Sequence, residues 1–278
     1  MSPERLPTLI LWMMALAVVG ALLWILGDLL WHGLPQISWR FISEAPVDSG
    51  RSGGIFPILV STLWILALSL GLALPLGLAT ATLLAEFGQQ FPRFRATVEL
   101  SLDILAGVPS IVFGLFGNAV FTQVLGLGLS LLSGALTLAC MVLPIFIRAV
   151  QQSLQAIPQR DRRAAAALGL SRWSTFRTLL FPAAMPGIAV GSLLGFGRAI
   201  AETAALIFTS GYVDRLPTSI WDSGRSLSIH IYDLAMNVAG GEPNAYGTAC
   251  ILIGILLFTN SLVAGLSHWF QRYSLRSR

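Results

Sequence analysis

The sequence predicts an all-α integral membrane protein with six transmembrane helices and both termini in the cytoplasm. Two features of composition support this class. The chain has 278 residues, of which 55% are hydrophobic and only 11% are charged, whereas about a quarter of the residues of a soluble domain are charged. The apolar residues also form long blocks that are free or nearly free of charge. Most of the chain is therefore expected to be solvated by lipid.

Five apolar blocks define the predicted spans. A helix rises about 1.5 Å per residue and the bilayer core is about 30 Å thick, so about 20 residues make one span. The blocks are Thr8–Trp31, Ile55–Ala85, Ile104–Ile147, Thr178–Gly197 with an extension to Val213, and Ala245–Ser267. The third block has 44 residues and predicts two helices joined at Gly126-Leu127-Gly128. The first block is too long for a signal-peptide core of about 7–15 residues and is expected to remain as a span.

Several residues around the third span have two possible roles. Pro109 lies in the segment "VPSIVFG", and it either is accommodated in a spanning helix or breaks it and frees backbone groups that can line a path. Glu99 and Asp103 are expected at the inner start of this span. Glu86 is expected to anchor the inner end of the second span rather than to contact a substrate.

The arginines predict the orientation in the membrane. The sequence has no lysine, so all 17 basic residues are arginines. With the N-terminus inside, the inner segments hold 12 of them, the outer segments hold 4, and Arg198 lies within a span. Because basic residues concentrate in cytoplasmic segments, the termini are predicted to be cytoplasmic. No basic patch with interleaved stacking aromatics appears, so nucleic acid is not an expected partner.

The sequence predicts neither a catalytic nor a metal site. Cys140 and Cys250 fall inside spans, and His32, His230 and His268 lie in three distant segments without ligand spacing. No GxSxG or HExxH motif is found. A phosphate-binding Walker A loop requires a lysine, which this sequence lacks. If ATP drives the protein, a partner chain must bind the ATP and Mg²⁺ and carry out the hydrolysis.

The inner segment 151–177 is the longest polar stretch between spans. The run "RRAAAALGL" favours a helix up to Leu168, and Gly169 can take the left-handed conformation that ends it. Ser171 is a suitable N-cap for a second short helix that presents Trp173. Two prolines follow, where the chain is expected to turn into the fifth span: Pro182 and Pro186. Such a pair of helices either rests on lipid headgroups or docks a cytoplasmic partner.

Two charges are predicted in the middle of the fifth span. Arg198 and Glu202 are spaced i and i+4, and a charge at this depth costs several kcal/mol unless it is paired or hydrated. At about 100° per residue, they share one stripe with Gly187, Gly191 and Gly195. Small residues every four positions let a neighbouring helix approach closely. The two charges therefore either form a structural ion pair or act as a gate or anion contact on a substrate path.

The inner loop resembles the EAA loop of ABC importer permeases. Ala164-Ala165-x-x-x-Gly169, followed by Trp173 and by Leu-Phe-Pro at 180–182, fits that pattern. In that family the loop forms the coupling helix, which seats in a groove of an ATPase subunit. The resemblance implies contact with an ATPase for a set of six residues: Arg163, Ala164, Ala165, Leu168, Gly169 and Trp173. Arg163 stands where the family usually has glutamate, so the charge of the docking groove is expected to differ locally.

The resemblance extends over roughly residues 53–270. The matching segments are "GGIFPILVSTLW" (53–64), "ATLLAEFG" (81–88), "ILAGVPSIVFGLFG" (104–117), "LPIFIRAV" (143–150) and "GFGRAIAETAALIFTSG" (195–211). They are similar to the PstA-type permeases of bacterial phosphate ABC importers, within the MetI-like permease superfamily. The resemblance implies a MetI-like fold in the bacterial inner membrane and a role in transport for Arg148, Arg198 and Glu202. For Arg148 alone, at the inner end of the fourth span, a simple anchor is the other possibility.

The partners and the domain organisation follow from the same resemblance. It implies a second, PstC-type permease, a dimeric cytoplasmic ATPase, a periplasmic phosphate-binding protein, inorganic phosphate and membrane lipid, with no cofactor on this chain. The predicted units are 1–54 (first helix and periplasmic segment), 55–270 (permease domain with the coupling loop 151–180) and 271–278 (cytoplasmic tail). The chain is expected to be a transporter subunit, not an enzyme. Two alternatives are a permease for another oxyanion, such as sulfate or molybdate, and a self-sufficient secondary transporter or membrane enzyme.

Overall fold

The computed structural model describes residues 5–86, 88 and 90–276, and helices dominate it. In chain order the helices are α1 (Arg5–Gly33), α2 (Trp39–Ser43), α3 (Phe56–Glu86), α4 (Pro92–Gly107), α5 (Ser110–Gly117), α6 (Leu131–Gln155), α7 (Gln159–Ala167), α8 (Arg172–Thr175), α9 (Phe181–Ile200), α10 (Ala204–Ile207), α11 (Leu227–Met236) and α12 (Glu242–Arg276). Two strands, β1 (Pro46–Val47) and β2 (Ser52–Gly53), pair antiparallel. Short 3₁₀ turns occupy Leu34–Gln36 and Asp48–Gly50, and π-helical stretches occupy Asn118–Val124 and Phe176–Leu180.

Five helical segments of the described chain are long and apolar enough to cross a membrane: Pro7–Gln36, Phe56–Glu86, Leu131–Gln155, Arg172–Ile200 and Glu242–Gly265. A sixth candidate is a bent pair, Pro92–Gly107 and Ser110–Val124, whose axes differ by 105°. The break falls at Val108-Pro109, so the proline breaks the helix instead of being accommodated in it. The predicted six spans are obtained when this pair counts as one.

The centre of the bundle is α6, which packs between α3 and α9. The glycine stripe of α9 lies directly against it, as predicted. A Cβ atom at Gly195 would lie 2.6 Å from Val142 Cγ1, and one at Gly187 would lie 2.6 Å from the carbonyl oxygen of Ala149. Gly191 lies between them, against Phe146. From Gly195 to Gly187 the residue numbers on α9 fall, while those of the contacted residues on α6 rise from Val142 to Ala149. The two helices are therefore antiparallel.

The bundle has two ends of different composition. The end formed by residues 90–95 and 148–180, called here the arginine-rich end, gathers most of the arginines predicted to be inside. The opposite end is formed by residues 34–55 and 201–241. There α1 meets α12 closely, since a Cβ atom at Gly33 would lie 2.6 Å from the carbonyl oxygen of Tyr246. Most of the surface of α1 is apolar and exposed, which suits contact with lipid or another membrane chain.

Three predicted boundaries can be compared with the helices. The turn between the third and fourth spans is confirmed, with Gly126 and Gly128 at φ values of +68° and +64°. The turn predicted at Pro182 and Pro186 is wrong, because Arg172–Ile200 is one continuous helical segment. A π-helical stretch precedes Pro182 and loosens the backbone where a proline cannot donate a hydrogen bond. At the C-terminus α12 continues to Arg276, into the predicted tail.

Candidate functional site

The first candidate site lies at the end of α9, which stops at Ile200. The N–H of Glu202 donates to the carbonyl oxygen of Ala199 at 3.3 Å, and Glu202 Oε1 accepts from the N–H of Ala205 at 3.1 Å. This bond between a side chain and the nearby backbone competes with continuation of the helix. The prediction that Arg198 and Glu202 share one helical stripe is therefore wrong, because Glu202 belongs to the turn that begins α10.

Arg198 has no acidic partner within the described part of the chain. Its side chain is half-buried and its Nε atom is fully shielded without a hydrogen-bond partner. The structural ion pair between Arg198 and Glu202, one of the two predicted roles, is therefore absent. A buried donor without an acceptor costs free energy that a bound anion can recover. The other predicted role of Arg198, as an anion contact, stays a prediction.

At the opposite end, the residues before α11 and the first turn of α11 are inserted into the bundle beside Glu202. All residues of 224–230 are buried. The N–H of Leu227 donates to Thr62 Oγ1 of α3 at 2.9 Å, and Ser228 Oγ donates to the carbonyl oxygen of Glu202 at 2.5 Å. This segment lies between the fifth and sixth predicted spans, and its insertion was not predicted. The signal that could have revealed the insertion is the uncharged run "SLSIHI" at 226–231, which lies between charged residues.

Arg225 holds this inserted segment in place. Its side chain is 10% exposed and ion-pairs with Asp233 at 2.8 Å and with Asp214 at 3.6 Å. Its Nε donates to the carbonyl oxygen of Tyr212 at 2.8 Å, and its Nη1 lies 3.4 Å from His230 Nδ1. Burial and then the charge of Arg225 lower the pKa of His230 to about 3, although Asp233 acts in the other direction. The imidazole is therefore neutral at neutral pH.

Arg148 lies at the arginine-rich end, far from Arg198. From the pairing of α6 with α9, the two arginines are separated by about nine residues, or about 14 Å, along the bundle. Arg148 Nη2 donates to Asp103 Oδ1 at 2.5 Å and to the carbonyl oxygen of Glu99 at 2.9 Å, while Nη1 lies 3.4 Å from Gln151 Oε1. These contacts fix α4 on α6. They support the anchor among the two predicted roles of Arg148.

The coupling loop has the local structure that the sequence predicts. Helix α7 ends at Ala167, and Gly169 follows with a φ of +69°, a conformation that favours glycine. Ser171 caps α8 by accepting a hydrogen bond from the N–H of Ser174 at 3.2 Å. Both termini were predictable because each depends on one residue and its nearest backbone.

The predicted coupling residues differ in exposure. Ala165 is buried, with 6% of its surface exposed. Arg163 and Ala164 are exposed, and the large apolar side chains of Leu168 and Trp173 are 78% and 70% exposed. Ala164, Leu168 and Trp173 are called here the coupling surface. Apolar side chains exposed beside arginines fit both predicted roles of this loop, contact with lipid headgroups and docking of a partner.

Arg162 has a structural role that the sequence did not predict. Its Nη1 ion-pairs with Glu86 Oε1 at the end of α3, and its Nη2 donates to the carbonyl oxygen of Leu154 at 2.6 Å. The prediction that Glu86 anchors a helix end is consistent with this contact, which identifies Arg162 as its partner. Burial lowers the pKa of Arg162, but an arginine remains protonated at neutral pH. The sequence feature that could have indicated this pair is Glu86, a single acidic residue at the end of an apolar helix in a chain whose next inner loop is rich in arginine.

Comparisons with known proteins give consistent results. Residues 73–272 match the family described as "binding-protein-dependent transport system inner membrane component". The chain is 29% identical over 275 residues to the probable ABC transporter permease protein YqgI of Bacillus subtilis, with 92% of each chain covered. It is 33% identical over 248 residues to the phosphate transport system permease protein PstA 1 of Mycobacterium tuberculosis, covering 88% of this chain and 81% of the relative. Its fold is similar to a solved inward-facing structure of the MetNI methionine ABC transporter, with a TM-score of 0.61, 16% identity, and 78% of this chain and 94% of the other covered.

Proposed function

The chain belongs to the family of binding-protein-dependent transport system inner membrane components, and on this premise we propose that it is the permease subunit of an ATP-driven importer of inorganic phosphate. Family membership makes it a multi-pass inner-membrane protein and a component of an ABC transporter, not an enzyme. The observation that carries the choice of phosphate is the similarity to PstA 1 over 88% of the chain.

Arg198 is the residue that we assign to the anion. Phosphate is recognised by planar cations with several donors, and arginine provides such a cation. The shielded Nε of Arg198 has no partner within the described chain, and Glu202 supports the adjoining turn rather than neutralising this charge. A PstC-type second permease would complete the path from the other side, so that this chain forms half of it.

ATP is used on a separate ATPase in this proposal. The sequence has no lysine, and so no Walker A loop to hold the phosphates of ATP. A dimeric cytoplasmic ATPase, with its own ATP and Mg²⁺, would dock on the coupling surface of the 159–176 loop. A periplasmic binding protein would deliver phosphate to the opposite end, and ATP binding would move the coupling loop and rock the two permeases between outward and inward states.

The test is purification of the complex followed by transport in vesicles. The tagged chain is isolated from its native membranes, its co-purifying subunits are identified by mass spectrometry, and the complex is reconstituted with ATP inside the vesicles. We expect an ATPase and a second permease to co-purify, and uptake of labelled phosphate to require ATP and the binding protein. Excess sulfate or molybdate should not compete. Competition by sulfate or molybdate would point to that oxyanion as the substrate instead of phosphate. Uptake that does not require ATP would contradict the proposal.

A further inference from the structure

Arg162 joins α7 to two helices of the bundle at once. Its Nη1 ion-pairs with Glu86, the last residue of α3, and its Nη2 donates to the carbonyl oxygen of Leu154 in the last turn of α6 at 2.6 Å. The side chains of Arg162 and Glu86 are 17% and 23% exposed. The pair is thus more shielded from water than a surface ion pair, whose contribution is screened. One guanidinium therefore ties three helix ends together.

Apolar packing gives α7 little other attachment to the bundle. Among its nine residues, only Ala165 is buried, and an alanine side chain offers a single methyl group, worth about 0.8 kcal/mol when buried. Leu168, which follows the helix, points away and is 78% exposed. None of the nine residues of α7 has a large buried side chain that could transmit a displacement of α7 to the core. The contacts of Arg162 are directional, because the planar guanidinium fixes both donors relative to each other.

The two helices that Arg162 contacts are the pair with the most extensive packing in the bundle. Leu154 and Val150 of α6 are fully buried, as are Leu84 and Ala81 of α3. Close-packed helices of this kind move as units because their interface deforms little. A displacement of α7 that is transmitted through Arg162 therefore shifts the ends of α3 and α6 together, and α6 carries α9 with it through the glycine contacts.

We infer that Arg162 is the positioning residue that transmits movement of α7 to the membrane helices, and that Glu86 is its receiving group. The inference rests on the proposed function, because an ATPase must move α7. The inference assigns docking of the ATPase and transmission of its movement to different residues of the coupling loop. Docking belongs to the coupling surface, which is exposed, while transmission belongs to Arg162, which faces the bundle. Loss of Arg162 is thus expected to uncouple a complex that still assembles.

The test compares Arg162→Gln, Glu86→Gln and the exchanged pair Arg162→Glu/Glu86→Arg with a matched control, Arg160→Gln. Arg160 lies on the same helix, but its side chain is 86% exposed. Each complex is purified, the ratio of co-purifying ATPase is measured, and labelled phosphate uptake is compared with ATP hydrolysed in the same vesicles. The ratio of transport to hydrolysis is informative because a purely structural defect would lower assembly rather than this ratio.

We expect all four variants to retain the ATPase in the native ratio. Each single variant at the pair should lower phosphate moved per ATP about tenfold, in the range that residues of a coupling network typically control, and Arg160→Gln should match the native protein. The exchanged pair should recover part of this loss, since the ion pair returns while the donor to Leu154 does not. Single variants that couple as well as the control, or an exchanged pair no better than the single variants, would overturn the inference.

The result also separates the inference from the proposed function. A native complex without an ATPase, or without ATP-driven uptake, overturns both. A native complex that transports, together with Arg162→Gln and Glu86→Gln complexes that transport as well as Arg160→Gln, overturns the inference alone. If another oxyanion proves to be the substrate, the same ratio is measured with that anion, because the ion pair lies at the arginine-rich end and not at the anion contact.

Discussion

At the scale of single residues, Arg198 combines a shielded donor with the lack of any acidic partner among the described residues. We expect Arg198→Gln to lower phosphate uptake by at least about 30-fold in an assembled complex, because truncating one member of a buried charge pair costs 2 kcal/mol or more. Arg198→Lys should be intermediate, since it keeps the charge and loses the planar fork. Uptake by reconstituted complexes is the measurement. Arg93→Gln, on the exposed side of α4, is the control, and equal uptake by Arg198→Gln and this control would contradict the assignment.

His230 provides a prediction about pH. Its pKa falls from 6.5 to about 3 because the ring is buried and lies beside Arg225. Below pH 6.5 the unfolded segment gains a proton that the folded segment does not accept, so the stability of residues 224–236 falls as pH decreases toward 3. Amide hydrogen exchange of this segment, corrected for intrinsic rates, should show more opening at pH 5 than at pH 7. His230→Gln should reduce this difference, and an unchanged difference in that variant would contradict the prediction.

Which residues could be assigned from sequence depends on how local their interactions are. Gly169 and Ser171 were predictable, because a positive φ and an N-cap involve only the adjoining backbone. The partners of Arg162 and Arg148 were not, since Glu86 and Asp103 lie 76 and 45 residues away in the chain. Spacing on an ideal helix also misplaced Glu202, whose carboxylate contacts the backbone nearby and helps to end the helix on which it was counted.

At the scale of helices, the contact of α9 with α6 gives a sharp test. A methyl group at Gly187 would meet the carbonyl oxygen of Ala149 at 2.6 Å, and this backbone atom cannot move without displacing α6. Gly187→Ala should therefore destabilise the protein by about 1–3 kcal/mol, as expected for overpacking. Gly197→Ala on the same helix is the control, because its nearest neighbour, Leu256 Cδ2, would be 3.8 Å away. Thermal unfolding in detergent measures both, and a Gly187→Ala variant as stable as the control would show that α6 and α9 are not in this contact.

The helices illustrate what composition can and cannot predict. Long apolar blocks predicted the spans because a bilayer requires about 20 apolar residues with internally satisfied backbone. Composition could not decide whether Pro109 breaks the third span, since tertiary contacts determine whether the freed backbone finds partners. It also missed the insertion of 224–230, because a hydroxyl of α3 satisfies the N–H of Leu227 and no local pattern reveals that bond.

At the scale of the whole molecule, the two ends of the bundle have different tasks in the proposed cycle. The arginine-rich end carries the coupling surface and two sets of arginine contacts. Arg162 joins α7 to α3 and α6, and Arg148 joins α6 to α4. The opposite end carries Arg198 and the inserted segment held by Arg225. The two ends are joined by α3, α6 and α9. Movement of the arginine-rich end can thus change access to Arg198 at the opposite end through these three helices alone, with no chemical reaction on this chain.

This division of tasks requires the arginine-rich end to face the cytoplasm, which remains a prediction from 12 inner arginines among 17. We expect single cysteines at Gln159 and Leu216, both exposed at opposite ends of the bundle, to distinguish the orientations in a chain whose Cys140 and Cys250 are replaced by alanine. A membrane-impermeant maleimide added to intact spheroplasts should label Leu216→Cys and spare Gln159→Cys, and both should be labelled after lysis. The reverse pattern would place the coupling surface outside, where no ATP-driven partner could reach it.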